Sequence, residues 1–189
     1  PGEGFALAMR TFSQTRPIIG AFATGAARSA MELAREYVRK RRAFGQKIGD
    51  FQDAQFKLAD MYLKVETMRL LTWKAACESD RGADPTLAAS FAKLYSSEAA
   101  LEVVNAALQL MGGFGYTRLM PIEKLLRDTR LFSIYEGTSE IQRLVISRHL
   151  QKSYEPVMPP LDEIGAGRRP DEGEGATWRC RFCGHLHRG

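Results

Sequence analysis

Apolar residues between about Asp53 and Asp80 recur in steps of three and four. Leu58, Met61, Val65 and Met68 form the row, Thr72 continues it, and Tyr62 and Trp73 stand beside it. That period predicts an amphipathic helix. Residues 4–42 are rich in Ala, Leu, Met, Arg and Glu, all good helix formers. Pro17 falls inside this stretch and predicts a kink or a restart, with a helix of roughly 35 Å from there to Lys40. Phe44-Gly45 then breaks the pattern. Arg81-Gly-Ala-Asp84-Pro85 reads as a turn, with Asp84 capping a third helix and Pro85 at its first position. That helix keeps Leu101, Val104, Leu108 and Met111 on one face and stops at Gly112-Gly113. A short helix follows Pro121, over about 121–129. Leu131 to Glu136 reads as extended or looped. A last helix runs from about Thr138 to Gln151, with Ser139 and Gln142 in capping-box spacing. No strand pattern stands out in residues 1–150. Long amphipathic helices joined by short turns predict an all-α, up-and-down four-helix bundle.

The pattern changes after Lys152. Eight Pro and Gly residues crowd 156–175, which predicts a flexible linker over 152–177 ahead of a short element at 178–189. The chain thus divides into a bundle (1–151), a linker and a C-terminal tail. Its 189 residues suffice for one domain with a real core and a small appendage. No stretch reaches the roughly 18 apolar residues of a membrane span. The opening PGEGF has neither a basic start nor an apolar run, so no secretory leader is expected. It also lacks an initiating Met, and the chain reads as a fragment or processed piece. The net charge of +5 is compatible with anionic ligands or with a mildly basic solvated surface. Three cysteines provide no disulfide framework, which favours a reducing compartment.

Several segments are more specific. Arg41-Arg-Ala-Phe44-Gly45, then Ile48 and Phe51-Gln52, then Leu58-Ala-Asp-Met61 come first. Gln109-Leu-Met-Gly-Gly113-Phe-Gly-Tyr116, Arg127-Asp128 and Ile134-Tyr-Glu136-Gly-Thr138-Ser-Glu-Ile-Gln142-Arg143 follow. In this order and spacing across residues 1–151 the chain resembles the C-terminal helical domain of the acyl-CoA dehydrogenases, closest to the medium- and short-chain branches. Members also have an N-terminal helical domain and a middle β-domain, neither of which is expected here.

The resemblance implies α,β-dehydrogenation of an acyl-CoA thioester, with FAD as hydride acceptor. The weakly acidic α-proton needs a base against it, and the enolate oxygen needs hydrogen-bond donors. Glu136 matches the family's base. A carboxylate becomes a stronger base when buried against an acyl chain and a flavin ring. By its residue type alone Glu136 reads as a charge favourable at a helix N-terminus. Tyr135 and Gly137 would border the substrate, and a glycine lets the backbone approach it closely. The base's own N–H is implied to help bind the thioester carbonyl. Arg41, Arg42 and Ala43 are implied FAD contacts near the diphosphate, with Phe44, Phe51 and Gln52 along the same site. Gln109, Leu110, Met111, Gly112 and Gly113 form a second FAD segment, and Gly137, Thr138, Ser139 and Glu140 a third. Taken alone, Lys40-Arg41-Arg42 reads as a solvated cationic helix end and Gly112-Gly113 as a plain helix stop. Arg16 aligns with an arginine near the CoA portion. Ser13 replaces an acidic residue of several relatives, and Glu140 stands where some have Gln. Each FAD in the family spans a subunit interface, so a homodimer or homotetramer is implied.

In the tail, Trp178-x-Cys180-x-x-Cys183-Gly-His185-x-His187 resembles one rubredoxin-like knuckle. Two thiolates are half of a tetrahedral shell, so iron or zinc is expected there only if Cys180 and Cys183 gain further ligands. The electron acceptor is implied to be an electron-transfer flavoprotein, or an attached iron centre. The location is expected to be cytoplasmic, or the mitochondrial matrix in a eukaryote. A competing reading is a non-catalytic helical domain of the same descent, used for assembly or nucleic-acid binding; retention of Glu136 argues against it. A di-iron carboxylate bundle would need Glu-x-x-His pairs on its helices. None occurs, since Ile146 stands three residues before His149.

Overall fold

A computed structural model describes residues 2–154, 177–179 and 186–188. Five helices build the bundle: α1 (Gly4–Lys40), α2 (Gln52–Asp80), α3 (Thr86–Tyr116), α4 (Ile122–Leu131) and α5 (Ser139–Ser153), whose residues to Leu150 belong to the first compact unit. The bundle is all-α, as the periodicity predicts. Its three long helices pack on one another, and α4 closes against α3 and α1.

The core is narrower than the apolar pattern alone suggests. Ala23, Ala27, Ala30 and Ala34 line the inner face of α1 at alternating four- and three-residue steps, all fully buried. They meet Met61, Val65 and Met68 of α2 and Ala100, Val103, Val104, Ala107 and Met111 of α3. Alanine rows let helix backbones approach closely, which is why so few large side chains fill the interior. Tyr62 and Trp73 are exposed.

Four local expectations are corrected. α1 is one helix of 37 residues, about 55 Å long, and runs through Pro17. The proline removes a single backbone donor, and its burial with Ile19 and Gly20 on the packed face holds the helix together across it. At Gly112 the backbone leaves the helix (φ 59°, ψ −145°), a conformation open to glycine, and then resumes a last turn to Tyr116. A small strand pair, β1 (Arg42–Ala43) and β2 (Gln46–Lys47), follows α1. Phe44 (φ 51°) and Gly45 (φ 82°) form its turn, with the left-handed pair that two-residue hairpins require. The capping box is absent. The Ser139 hydroxyl is buried without a partner, and the Thr138 hydroxyl instead accepts the Ile141 N–H at 3.4 Å. Asp84 does cap α3, accepting the Thr86 N–H at 3.0 Å.

The second unit, Gln151–Gly189, contains an antiparallel pair, β3 (Thr177–Arg179) and β4 (Leu186–Arg188), in the register Trp178↔His187. The expected linker start at 152 is corrected, since α5 continues to Ser153; residues 155–176 of the linker, Cys180, Cys183 and His185 lie outside the described residues. Among the described residues no cluster of three or more His, Cys, Asp or Glu could hold a metal, and no helix is long and apolar enough to cross a membrane.

Candidate active site

Between α4 and α5 the chain makes a compact turn. The Ile134 N–H donates to the Leu131 carbonyl at 2.9 Å and the Ser139 N–H to the Ser133 carbonyl at 3.0 Å. At its apex Glu136 and Gly137 are consecutively left-handed, with φ of 57° and 85°. A glutamate there is strained, and such a residue persists where its surroundings over-determine it.

Three helices supply those surroundings. From α1, the Thr15 hydroxyl donates to Glu136 Oε2 at 2.7 Å, and Arg16 Nε to the Glu136 carbonyl at 3.4 Å. From α3, Lys93 Nζ donates to the Gly137 carbonyl at 2.7 Å. From α5, Gln142 Nε2 donates to the same carbonyl at 3.0 Å. A Cβ on Gly137 would lie 2.8 Å from that amide nitrogen and push it off the carbonyl, and φ of 85° strains any side chain there, so glycine suits the position. With both carbonyls held inward, the N–H groups of Glu136, Gly137 and Thr138 make no backbone hydrogen bond among the described residues. A half-buried carboxylate therefore sits beside unpaired amide donors, the combination that proton abstraction next to a carbonyl requires.

The two cations below the turn are buried, Lys93 fully and Arg16 at 4% exposure. Burial pushes the Lys93 ammonium down to about 8, and the positive Arg16 adds to the effect. The carboxylates of Glu140, Glu98 and Glu136 oppose it. Burial also lowers the Arg16 pKa, partly offset by Glu136. Burial first, and then the Glu136 charge, raises the Tyr135 phenol.

The proposed cofactor segments fall into two groups. Arg41, Ala43 and Leu110 to Gly113 line one cleft of about 490 Å³, closed at its side by Tyr37, whose ring stacks on Phe114 at 5.9 Å. Phe44 projects from the hairpin tip at 94% exposure, edge-on to Phe51 at 6.5 Å, and neither lines that cleft. Arg42, Gln52 and Gln109 are exposed outside it. Thr138, Ser139 and Glu140 line a second cleft of about 400 Å³ with Ser97 and Glu98. Arg41, which caps α1, lies 25 positions beyond Arg16, and that length of helix sets the two groups about 37 Å apart. Arg16 is engaged beneath the turn, on the Glu136 carbonyl and over the Phe12 ring at 5.7 Å.

Thr15 and Lys93 are site residues that the motif reading passes over, and Gln142, read there as a capping-box partner, holds the Gly137 carbonyl instead. Lys93 carries a visible signal. It lies on a helical face of small residues, between Ala89 and Ser97, where a solvated lysine does not belong.

The fold has known counterparts. A family model described as acyl-CoA dehydrogenase, C-terminal domain, matches residues 2–151. The chain belongs to the acyl-CoA dehydrogenase family. The chain is 49% identical over 154 residues to the mitochondrial short-chain specific acyl-CoA dehydrogenase of Bos taurus, covering 82% of this chain and 37% of that protein. It is 46% identical over 152 residues to a probable acyl-CoA dehydrogenase of Mycobacterium tuberculosis, covering 79% of this chain and 39% of that one. Among solved structures, the butyryl-CoA dehydrogenase of Megasphaera elsdenii superposes with a TM-score of 0.79 at 39% identity, over 80% of this chain and 40% of that one. The chain thus spans about two fifths of the length of the acyl-CoA dehydrogenases it matches.

Proposed function

We propose that this chain is the C-terminal part of an FAD-dependent enzyme that dehydrogenates acyl-CoA thioesters between the α and β carbons, with Glu136 removing the α-proton. The observation that carries this reading is the Glu136 turn: a carboxylate oriented by Thr15 at 2.7 Å, on a strained backbone whose neighbouring N–H groups are left without backbone partners.

The division of labour follows from charge. Loss of the α-proton puts negative charge on the thioester oxygen, where amide donors fixed in advance stabilise it most. Glu136 accepts the proton, and the Thr15 hydroxyl fixes the orientation of its carboxylate. When bound, FAD would supply the acceptor for the β-hydrogen as hydride. The residues present suit that cofactor. Arg41 offers a cation for a diphosphate, and Gly112 adopts a backbone that no side chain tolerates. The buried Ser139 hydroxyl lacks a protein partner.

The two residue groups lie about 37 Å apart along α1, farther than one dinucleotide reaches, so a cofactor serving one copy's Glu136 takes its Arg41 cleft from another copy. Exposed Phe5, Leu7, Ile18 and Phe22 on α1, and Ile141, Leu144 and Leu150 on α5, provide apolar surface for such an assembly. The reading includes an electron-transfer flavoprotein as acceptor; a solved structure concerning the electron transferring flavoprotein of Acidaminococcus fermentans contains a chain 40% identical to this one. It also includes a mitochondrial matrix or cytoplasmic location, in keeping with the bovine relative's name.

The test is Glu136→Gln in the complete enzyme. The amide is nearly isosteric but accepts no proton. FAD content and acyl-CoA affinity should hold, while anaerobic flavin bleaching slows by on the order of 10²–10⁴ or more. Near-normal bleaching would refute the assignment.

A further inference from the structure

Beneath Glu136 lies a buried cation that the proposed chemistry does not call on. Lys93 is fully buried in mid-α3, and its ammonium meets the Gly137 carbonyl at 2.7 Å. No ion pair among the described residues includes it: Glu98, five residues along α3, pairs instead with Arg143 at 2.7 Å. Burying a cation without a carboxylate in contact is expensive, and a methionine would fill the same space without that penalty. The charge is placed against one peptide carbonyl, at the strained point of the turn.

Peptide planarity translates that contact into direction. Holding the Gly137 carbonyl inward turns the Thr138 N–H to the opposite side. Arg16 on the Glu136 carbonyl does the same for the Gly137 N–H. Gln142 shares the Gly137 carbonyl at 3.0 Å but supplies a neutral donor, and the charge-assisted bond is the stronger. We propose that Lys93 is a positioning residue for the base: by holding the Gly137 carbonyl it fixes the left-handed 136–137 turn, and with it the direction of the Glu136 carboxylate and of the adjoining N–H groups. The proposal rests on Glu136 being the base.

The grip depends on pH. The charged groups facing Lys93 are Arg16 from α1, Glu98 from α3, Glu136 from the turn and Glu140 from α5. Burial and Arg16 bring the ammonium down to about 8 against the pull of the three carboxylates. The charged donor is therefore present below that pH and lost above it.

The experiment uses the complete flavoenzyme with butyryl-CoA as probe, in wild-type, Lys93→Met, Lys93→Arg and Glu136→Gln forms. Lys93→Met should lower the limiting rate of flavin reduction by about 10- to 100-fold, with KM and FAD content within about two-fold. The wild-type rate should decline as pH rises through about 8, and Lys93→Arg should carry its rate at least one pH unit further, because a guanidinium stays charged. A full rate in Lys93→Met, or superimposable wild-type and Lys93→Arg profiles, overturns the proposal. Glu136→Gln tests the base separately. Amide hydrogen exchange at Ser139, whose N–H closes the turn on the Ser133 carbonyl at 3.0 Å, tests the mount whatever the base is. Exchange corrected for intrinsic rate should quicken at least 10-fold in Lys93→Met, and in wild-type enzyme above pH 8, while the middle of α3 is unchanged. Unchanged exchange at the turn overturns it.

Discussion

Replacing Lys93 by methionine should remove a specific piece of the pH dependence of the bundle's stability. In the unfolded chain a lysine titrates near 10.5, and in the fold Lys93 titrates near 8. Below pH 8 both states carry the proton, and the native state bears the full penalty of a buried ammonium. Between pH 8 and 10.5 the unfolded state holds more protons than the native one, so stability rises with pH, by up to one proton's slope. Above 10.5 the penalty is gone. At about 1.4 kcal/mol per pK unit, the interval corresponds to roughly 3 kcal/mol. Methionine contributes no such term. Urea unfolding of the 189-residue chain, followed by circular dichroism at pH 7, 8, 9 and 10, measures it as a difference between wild type and variant, in which every other titrating lysine and tyrosine cancels. Wild type should gain about 2–3 kcal/mol on Lys93→Met across that range, at equal m-values. A difference that stays flat with pH would show that Lys93 is not a penalised cation, and the account of the mount would fall with it.

Gly137→Ala should slow flavin reduction in the complete enzyme and destabilise the bundle by about 1–3 kcal/mol, since φ of 85° strains any side chain and the new Cβ displaces Gln142 from its carbonyl; wild-type kinetics would count against the turn geometry. Gly115→Ala should act on stability alone. Its Cβ would lie 2.7 Å from that of Met111 and 3.3 Å from Ile122 Cγ2, an overpacking of about 1–3 kcal/mol. Calorimetry should show a melting point lower by roughly 3–10 °C, and an unchanged melting point would mean that α3 and α4 are less tightly joined than they are here.

The two kinds of information divide along a clear line. Helix positions follow from neighbours three and four residues apart, so α2, α3, α4 and α5 are legible from apolar spacing and from Asp84, Gly112 and Pro121. The same local rules misread Pro17, because burial against the rest of the bundle outweighs one missing donor. They also misread Ser139, because the cap belongs to Thr138 once the turn before it is left-handed. Motif order pointed to Glu136, Arg41 and Gly112, but spacing along a chain carries no distance. Only the packed bundle puts Arg41 beside Gly112 and both of them far from Glu136. The mount of the carboxylate is likewise tertiary. Thr15 reaches Glu136 across 121 residues and Lys93 reaches Gly137 across 44. The residue types are legible in the chain; which carbonyl each donor holds is decided when α1, α3 and α5 come together and bury Arg16, Lys93 and Gln142, whose donors must then find partners within the protein.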